Sequence, residues 1–154
     1  MRYLLIDRIE TLRKNHSIVA IKNVSLSEDV FTDHFVGVPV LPGALIIEAL
    51  AQAGTALLEV SSSFTKKAIL AFVKQVKFRT IVRPGDQMII EEFITESQDS
   101  IVELNCIVRV NEKVVADGQI VFSLREAEEF YPEKYRTAVE LLYSVWLRTA
   151  TIEE

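Results

Sequence analysis

The feature that most constrains this chain is a pair of prolines three positions apart, Pro39 and Pro42, followed by Gly43 and a proline-free run over 44–58 that is rich in alanine and leucine. Proline is tolerated in the first turn of a helix, where its missing N–H has no partner to lose, and glycine leaves the backbone bare beside it. The pattern predicts a stiff loop over 33–42 feeding a helix over 42–58, about 25 Å long at roughly 1.5 Å per residue. That helix is apolar almost all round, as expected when other structure wraps it. Only Glu48, Gln52, Thr55 and Glu59 break the pattern, and their spacing puts them on one narrow stripe. Either this stripe faces water, or Glu48 sits in a cavity near the helix start and does chemistry there.

On both sides of the helix the chain reads as strands. Residues 4–12 and 17–25 form two extended segments, the second with Ile18, Ala20 and Val24 on one face and Val19 and Ile21 on the other. The polar run 13–17 joins them as a turn, in which His16 is read as exposed and idle. After the helix, serines 61–63 mark a turn and 68–78 a strand crossing the core. Pro84-Gly85-Asp86 turns the chain into a strand over 87–94, residues 97–100 turn it into 101–110, and 111–113 into 114–124. The last three strands make an antiparallel meander. One helix set among roughly five to seven antiparallel strands is an α+β arrangement. Beyond residue 125 the composition shifts: a charged link leads to Pro132, and Tyr135, Val139, Leu142, Val145 and Trp146 fall near helical spacing. An added amphipathic helix is expected over 126–154, packed on the same domain or on a neighbouring subunit.

Length and composition narrow the function classes. A chain of 154 residues holds one domain with a proper core. A net charge of −5 argues against broad nucleic-acid binding, which leaves a basic footprint. The sole cysteine, Cys106, excludes an intramolecular disulfide and a cysteine-based metal cluster, and its place in the alternation Val102, Leu104, Cys106, Val108, Val110 reads as a packed thiol. Asp7 and Arg8 interrupt the N-terminus before any long apolar run, so neither a signal peptide nor a membrane span is expected, and the cytoplasm is the expected location. Between Val60 and Gly85 there is no acidic residue, whereas Lys66, Lys67, Lys74, Lys77, Arg79 and Arg83 all occur. These are either solvated strand and loop edges or a docking patch for an acidic partner.

A histidine in a constrained loop ahead of a buried carboxyl is a candidate acid/base pair, since imidazole accepts a proton near neutral pH and a desolvated carboxyl can hold one. The glycine at the helix start adds an exposed N–H at the favourable end of the helix dipole, able to polarise a carbonyl oxygen. His34, Glu48 and Gly43 together suit removal of a proton next to a carbonyl. The run His34-Phe35-x-Gly37-x-Pro39-Val40-x-Pro42-Gly43, then Glu48-Ala49-Leu50-Ala51-Gln52, resembles the signature of the (3R)-hydroxyacyl-acyl carrier protein dehydratases of bacterial fatty acid synthesis, hydroxymyristoyl dehydratase type. Further matches at Ile6-Asp7-Arg8-Ile9, at 18–24, from 76–79 to 84–87 and in the final strand extend the resemblance over roughly residues 3–124.

The resemblance implies a hot-dog fold over 1–125, a curved antiparallel sheet wrapped around one long central helix. It implies elimination of water from a 3-hydroxyacyl thioester to give the trans-2-enoyl thioester, with no metal and no cofactor. On this pattern His34 removes the C2 proton, the Gly43 N–H steadies the enolate-like oxygen, and Glu48 protonates the departing hydroxyl or orients the catalytic water. In the family the histidine and the facing carboxylate come from different subunits, so a homodimer with two sites is implied, possibly assembling further. Acyl carrier protein is the implied partner, received by the basic stretch, with an apolar tunnel between the helix and the strand over 68–78. Glu48 in place of aspartate favours the plain dehydratase over the bifunctional dehydratase-isomerase. Val36 and Val38 stand where the family usually has proline and arginine. The alternatives are a hot-dog acyl-CoA thioesterase, which makes poor use of His34, and a non-catalytic acyl-binding homologue, which the changed loop permits.

Overall fold

Strands β1 (Arg8–Arg13), β2 (Ser17–Asn23), β3 (Lys66–Phe78), β4 (Gln87–Gln98), β5 (Ile101–Val110), β6 (Lys113–Glu126) and β7 (Thr151–Glu153) build one sheet in the order β3-β6-β5-β4-β2-β1-β7. The computed structural model describes residues 3–130 and 133–154. Helix α1 (Gly43–Ser61) lies in the hollow of this sheet, the arrangement expected for a hot-dog fold. The reason is visible in the alternation along each strand. On β5, Val102, Leu104, Cys106, Val108 and Val110 are buried while their neighbours are not, so one face of the meander is continuous apolar surface that only a nearly all-apolar helix can cover. Leu50, Ala53, Ala56 and Leu57 of α1 are fully buried against it, each large side chain contributing about 1.5–3 kcal/mol. Helix α1 is long and apolar enough to cross a membrane, yet most of it is buried inside the fold. At Gly54 a Cβ would come within 2.7 Å of the Phe122 ring and of Glu92 Oε2, so glycine is what lets helix and sheet approach this closely.

Strand bounds differ from the sequence reading in a consistent way. β3 begins at Lys66, opposite Glu126, and β4 runs on to Gln98, opposite Ile101, because cross-strand pairing carries the ladders through polar residues that periodicity alone does not assign. Conversely β1 begins only at Arg8, and residues 3–7 run alongside α1 without a ladder. The sheet is also not wholly antiparallel: β7, which the sequence reading left out, pairs parallel to β1 through Thr11↔Thr151, Leu12↔Ile152 and Arg13↔Glu153. Three residues carry too little pattern to be read as a strand; tertiary contact makes this one.

Helix α2 (Glu133–Trp146) lies on the same chain, against the open flank of α1 and the N-terminal segment. Pro132, the expected helix start, lies outside the described residues, as do the side chain of Tyr135 and the first two residues of the chain. Tyr143 and Trp146, each 5% exposed, face inward with their rings edge to face, and Tyr143 meets Phe64 in the same geometry. The Tyr143 hydroxyl donates to Glu59 Oε2 at 2.5 Å and the Trp146 Nε1–H to the Ile6 carbonyl at 3.0 Å.

Candidate active site

The His34 loop is built from short, local bonds. A 3-10 turn over Asp29–Thr32 buries Phe31 and delivers the chain to His34, whose N–H donates to the Val30 carbonyl. Residues 35–38 form a tight turn in which Phe35 and Val38 exchange both backbone hydrogen bonds, at 3.1 and 2.9 Å, with Gly37 at φ +78°. Val36 and Val38, the two departures from the family pattern, are exposed at the turn's tip, and the reciprocal bonds hold it without a proline. The loop closes through Val40 N–H to the His34 carbonyl and is tied to the body of the fold by Leu41 N–H to the Val82 carbonyl at 2.8 Å.

This geometry decides the state of the imidazole. His34 Nδ1 lies 2.8 Å from the Val40 carbonyl oxygen. A carbonyl only accepts, so Nδ1 carries the hydrogen, and in the neutral ring Nε2 keeps the lone pair. The half-buried ring stacks on Phe35, centroids 4.2 Å apart, which fixes its plane. In its neutral form the ring thus presents Nε2 as its accepting atom.

At the start of α1, Pro42 caps the helix in an extended conformation, and its carbonyl takes the N–H groups of Leu45 and Ile46. Among the described residues the N–H groups of Gly43 and Ala44 have no acceptor, as expected of a first helical turn. They point a positive dipole end outward beside Phe78, whose ring occupies the space next to Gly43. One turn on, half-buried Glu48 accepts from Gln52 Nε2 at 2.9 Å through Oε1. Gln52 is itself fixed by the N-terminal segment, accepting from Leu5 N–H at 2.8 Å and donating to the Tyr3 carbonyl at 2.8 Å.

The polar stripe of α1 therefore does not face water along its length. Its lower end, Glu59, is 2% exposed and bonded at both oxygens, to Lys67 Nζ at 2.6 Å and to the Tyr143 hydroxyl. Gly43 and Glu48 share one end of α1, and among the described residues no hydrogen bond or ion pair joins His34 to Glu48. A cavity of about 730 Å³ lies at the other end of the helix, lined by Glu59, Phe64, Val139, Tyr143 and Leu147 among others, and touches none of the three.

Sequence reading missed one buried acid. Glu92 is fully buried on β4 opposite Cys106, and neither of its oxygens has a hydrogen-bond partner. Burial holds its carboxyl well above the usual range, and the adjacent thiol offsets this only partly; the S–H itself lies 3.8 Å from the Leu104 carbonyl. Burial, reinforced by Glu92, likewise pushes the Cys106 thiol up, so it is a packed group and not a nucleophile. The signal was in the alternation: Met88, Ile90 and Glu92 occupy one face of β4. The basic stretch is also less bare than its sequence suggests. Lys66 pairs with Glu126, Lys67 with Glu59, Lys74 with Glu103 and Arg79 with Asp117, leaving Lys77 and Arg83 without a salt bridge among the described residues. The half-buried Asp117 carboxyl is held low by its hydrogen bond to Arg79.

Comparison with known proteins fits this geometry. The FabA-like domain profile matches residues 1–125. The chain is 40% identical over 124 residues to the 3-hydroxyacyl-acyl-carrier-protein dehydratase FabZ of Halalkalibacterium halodurans, covering 80% of this chain and 89% of that one. It is 38% identical over 127 residues to the enzyme of the same name from Levilactobacillus brevis, covering 82% and 86%. Among solved structures, a hot-dog-like protein from Thermanaerovibrio acidaminovorans superposes with a TM-score of 0.63 at 15% identity, over 80% of this chain and 89% of that one. A Streptococcus mutans protein bound to acetyl-CoA does so at 0.63 and 13%, over 77% and 88%, and both likenesses establish the hot-dog fold. The histidine loop, the glycine at the helix start and the carboxyl one turn on thus stand within a chain that belongs to the FabA-like family, among its FabZ-type dehydratases.

Proposed function

We propose that this chain dehydrates (3R)-hydroxyacyl thioesters carried on acyl carrier protein to trans-2-enoyl thioesters in fatty acid synthesis, working as a homodimer in the cytoplasm. The observation that carries the chemistry is the Nδ1 bond to Val40, which leaves His34 Nε2 as the basic atom. His34 Nε2 takes the C2 proton, and the electron pair of that bond moves toward the thioester carbonyl. The oxygen gains charge and meets the free N–H of Gly43 at the positive end of α1, the group preorganised for it. As the pair returns to form the C2–C3 double bond, the C3–O bond breaks and the hydroxyl leaves as water with a proton from Glu48. Glu48 Oε1 is committed as an acceptor to Gln52, so Oε2 is the proton-bearing oxygen. The imidazolium and the carboxylate then exchange a proton to reset the site.

Assembly completes the site. β3 is an edge of the sheet with one side unpaired, and it exposes Phe72 and Phe78. Two copies joined along this edge bury those rings and bring the Phe78–Gly43 corner of one protomer to the interface. Among the described residues no hydrogen bond or ion pair joins His34 to Glu48 within one chain, in keeping with a site that takes its base from one protomer and its acid from the other. Lys77 and Arg83 supply positive charge near that edge for an acidic carrier.

Loss of enoyl absorbance on hydration of crotonyl and longer thioesters tests the reaction, and release of free thiol instead would mark a thioesterase. His34→Ala and Glu48→Gln should each be inactive alone. Mixed after denaturation and refolding, they should recover about a quarter of parent activity, because half of random dimers are mixed and each holds one intact site. No recovery from a well-folded mixture rejects the shared site.

A further inference from the structure

We infer that the C-terminal helix positions the acid of the active site, with Trp146 holding Glu48 in register through the N-terminal segment and Gln52. The inference rests on the dehydratase reading above and concerns how its carboxyl is aimed. Trp146 lies beyond residues 1–125, the part that the family profile matches, so this support is an addition to the shared fold.

The connection is short and continuous. The buried Trp146 Nε1–H donates to the Ile6 carbonyl at 3.0 Å. One residue back, Leu5 N–H donates to Gln52 Oε1 at 2.8 Å, and Gln52 Nε2 reaches both the Tyr3 carbonyl at 2.8 Å and Glu48 Oε1 at 2.9 Å. Residues 3–6 belong to no helix or strand, and among the described residues their backbone hydrogen-bonds only to these two side chains, Gln52 and Trp146. The Leu5 and Ile6 side chains anchor the segment in the core, and Gln52 and Trp146 set the direction of its backbone.

A carboxamide has one accepting oxygen and one donating NH2, so its direction matters. Leu5 N–H can only donate, so it turns the Gln52 oxygen toward itself. The NH2 must then face Glu48. That makes Oε1 of Glu48 an obligate acceptor and leaves Oε2 to hold and release the proton. Without the segment in place, neither Leu5 N–H nor the Tyr3 carbonyl orients the amide, which is then free to turn over and offer Glu48 an oxygen, and the division between the two carboxyl oxygens is lost. Trp146 keeps Leu5 there by fixing the next carbonyl, while α2 is itself anchored by the Tyr143–Glu59 bond and by the β7 ladder.

Trp146→Phe keeps an aromatic ring and removes the donor. It should lower kcat for thioester hydration about three- to tenfold, the range of one hydrogen bond, with KM within about twofold, and speed amide exchange at Leu5 by a similar factor. Leu141→Ala, on the exposed face of the same helix, should match the parent in both. A merely structural role is separated by a double-mutant cycle: Gln52→Met already breaks the link, so adding Trp146→Phe to it should change kcat by less than about twofold, whereas general loosening multiplies the two effects. Parent kcat and parent Leu5 exchange in Trp146→Phe, with Glu48→Gln inactive in the same assay, would overturn the inference and leave the dehydratase reading standing. No hydration by the parent, or full turnover by Glu48→Gln, would instead overturn the reading. If Trp146→Phe does not fold, exchange in the parent decides: the Leu5 amide and the Trp146 indole N–H should be protected to within about threefold of each other, and a protected indole beside a freely exchanging Leu5 amide rejects the link.

Discussion

The two ends of α1 carry the same residue type on the same stripe and put it to opposite use. Glu48, near the start, is half-buried, has one oxygen held by Gln52, and lies about one turn beyond backbone N–H groups that lack an acceptor among the described residues. Glu59, three turns on, is sealed at 2% exposure with Lys67 on one oxygen and Tyr143 on the other. One carboxyl keeps an oxygen without a partner among the described residues, the one the proposed chemistry uses; the other is fully spent on holding α2 and β3 to the helix. Burial alone does not mark a reactive acid, since the more buried of the two is the structural one. What separates them is hydrogen-bonding capacity left over.

The comparison can be broken most decisively at the reactive end. Glu48→Gln and His34→Ala should each lower thioester hydration by about a hundredfold to ten-thousandfold, while melting temperatures stay near the parent's. Glu59→Ala should do the reverse. Removing one partner of a buried ion pair costs about 3 kcal/mol, read as a melting temperature lower by roughly 6–12 °C, with turnover at low temperature within a few fold of the parent. A Glu59→Ala protein that melts normally but has lost activity would exchange the roles assigned to the two ends.

Glu92 sharpens the contrast further, because it is fully buried, neither of its oxygens has a hydrogen-bond partner among the described residues, and the thiol beside it offsets the burial only partly. Burial raises its pKa, so between the usual carboxylate range and that raised value the folded chain keeps a proton that the unfolded chain has released. Stability then falls as pH rises through that window. Glu92→Met should therefore be more stable than the parent by about 1–3 kcal/mol at about pH 8 and converge on it near pH 4, which thermal melts at the two pH values will measure. The smallest effect belongs to the surface: Lys74→Gln, which breaks the pair with Glu103, should shift stability by less than about 1 kcal/mol.

Much of this was legible in the sequence because the constraints were local. The helix start is punctuated by Pro39, Pro42 and Gly43, the meander by short polar turns, and the strand faces by alternation, all within a few residues of one another. His34, Gly43 and Glu48 stood out for the same reason. What escaped was set by contacts far apart in the chain. The Glu59–Tyr143 bond spans 84 positions, so nothing near Glu59 announces that its end of the stripe is sealed. For the cations at 66, 67, 74 and 79 the sequence left solvated edges and a docking patch both open, because the acids that pair with them come from β6, β5 and α1. Thr151–Glu153 carries no strand signal and becomes one only where β1 offers an open ladder.

That last ladder bears on how many molecules can come together. A sheet with two bare sides can add copies at both and grow without limit into a fibre. Here one side ends in a three-residue strand tipped by Glu153 and Glu154, whose partners Arg13 and Lys14 are already engaged, and so short and charged a rim is a poor template. That directs pairing to the opposite side, and in the proposed dimer a surface that pairs with its own twin is used up when two molecules have met.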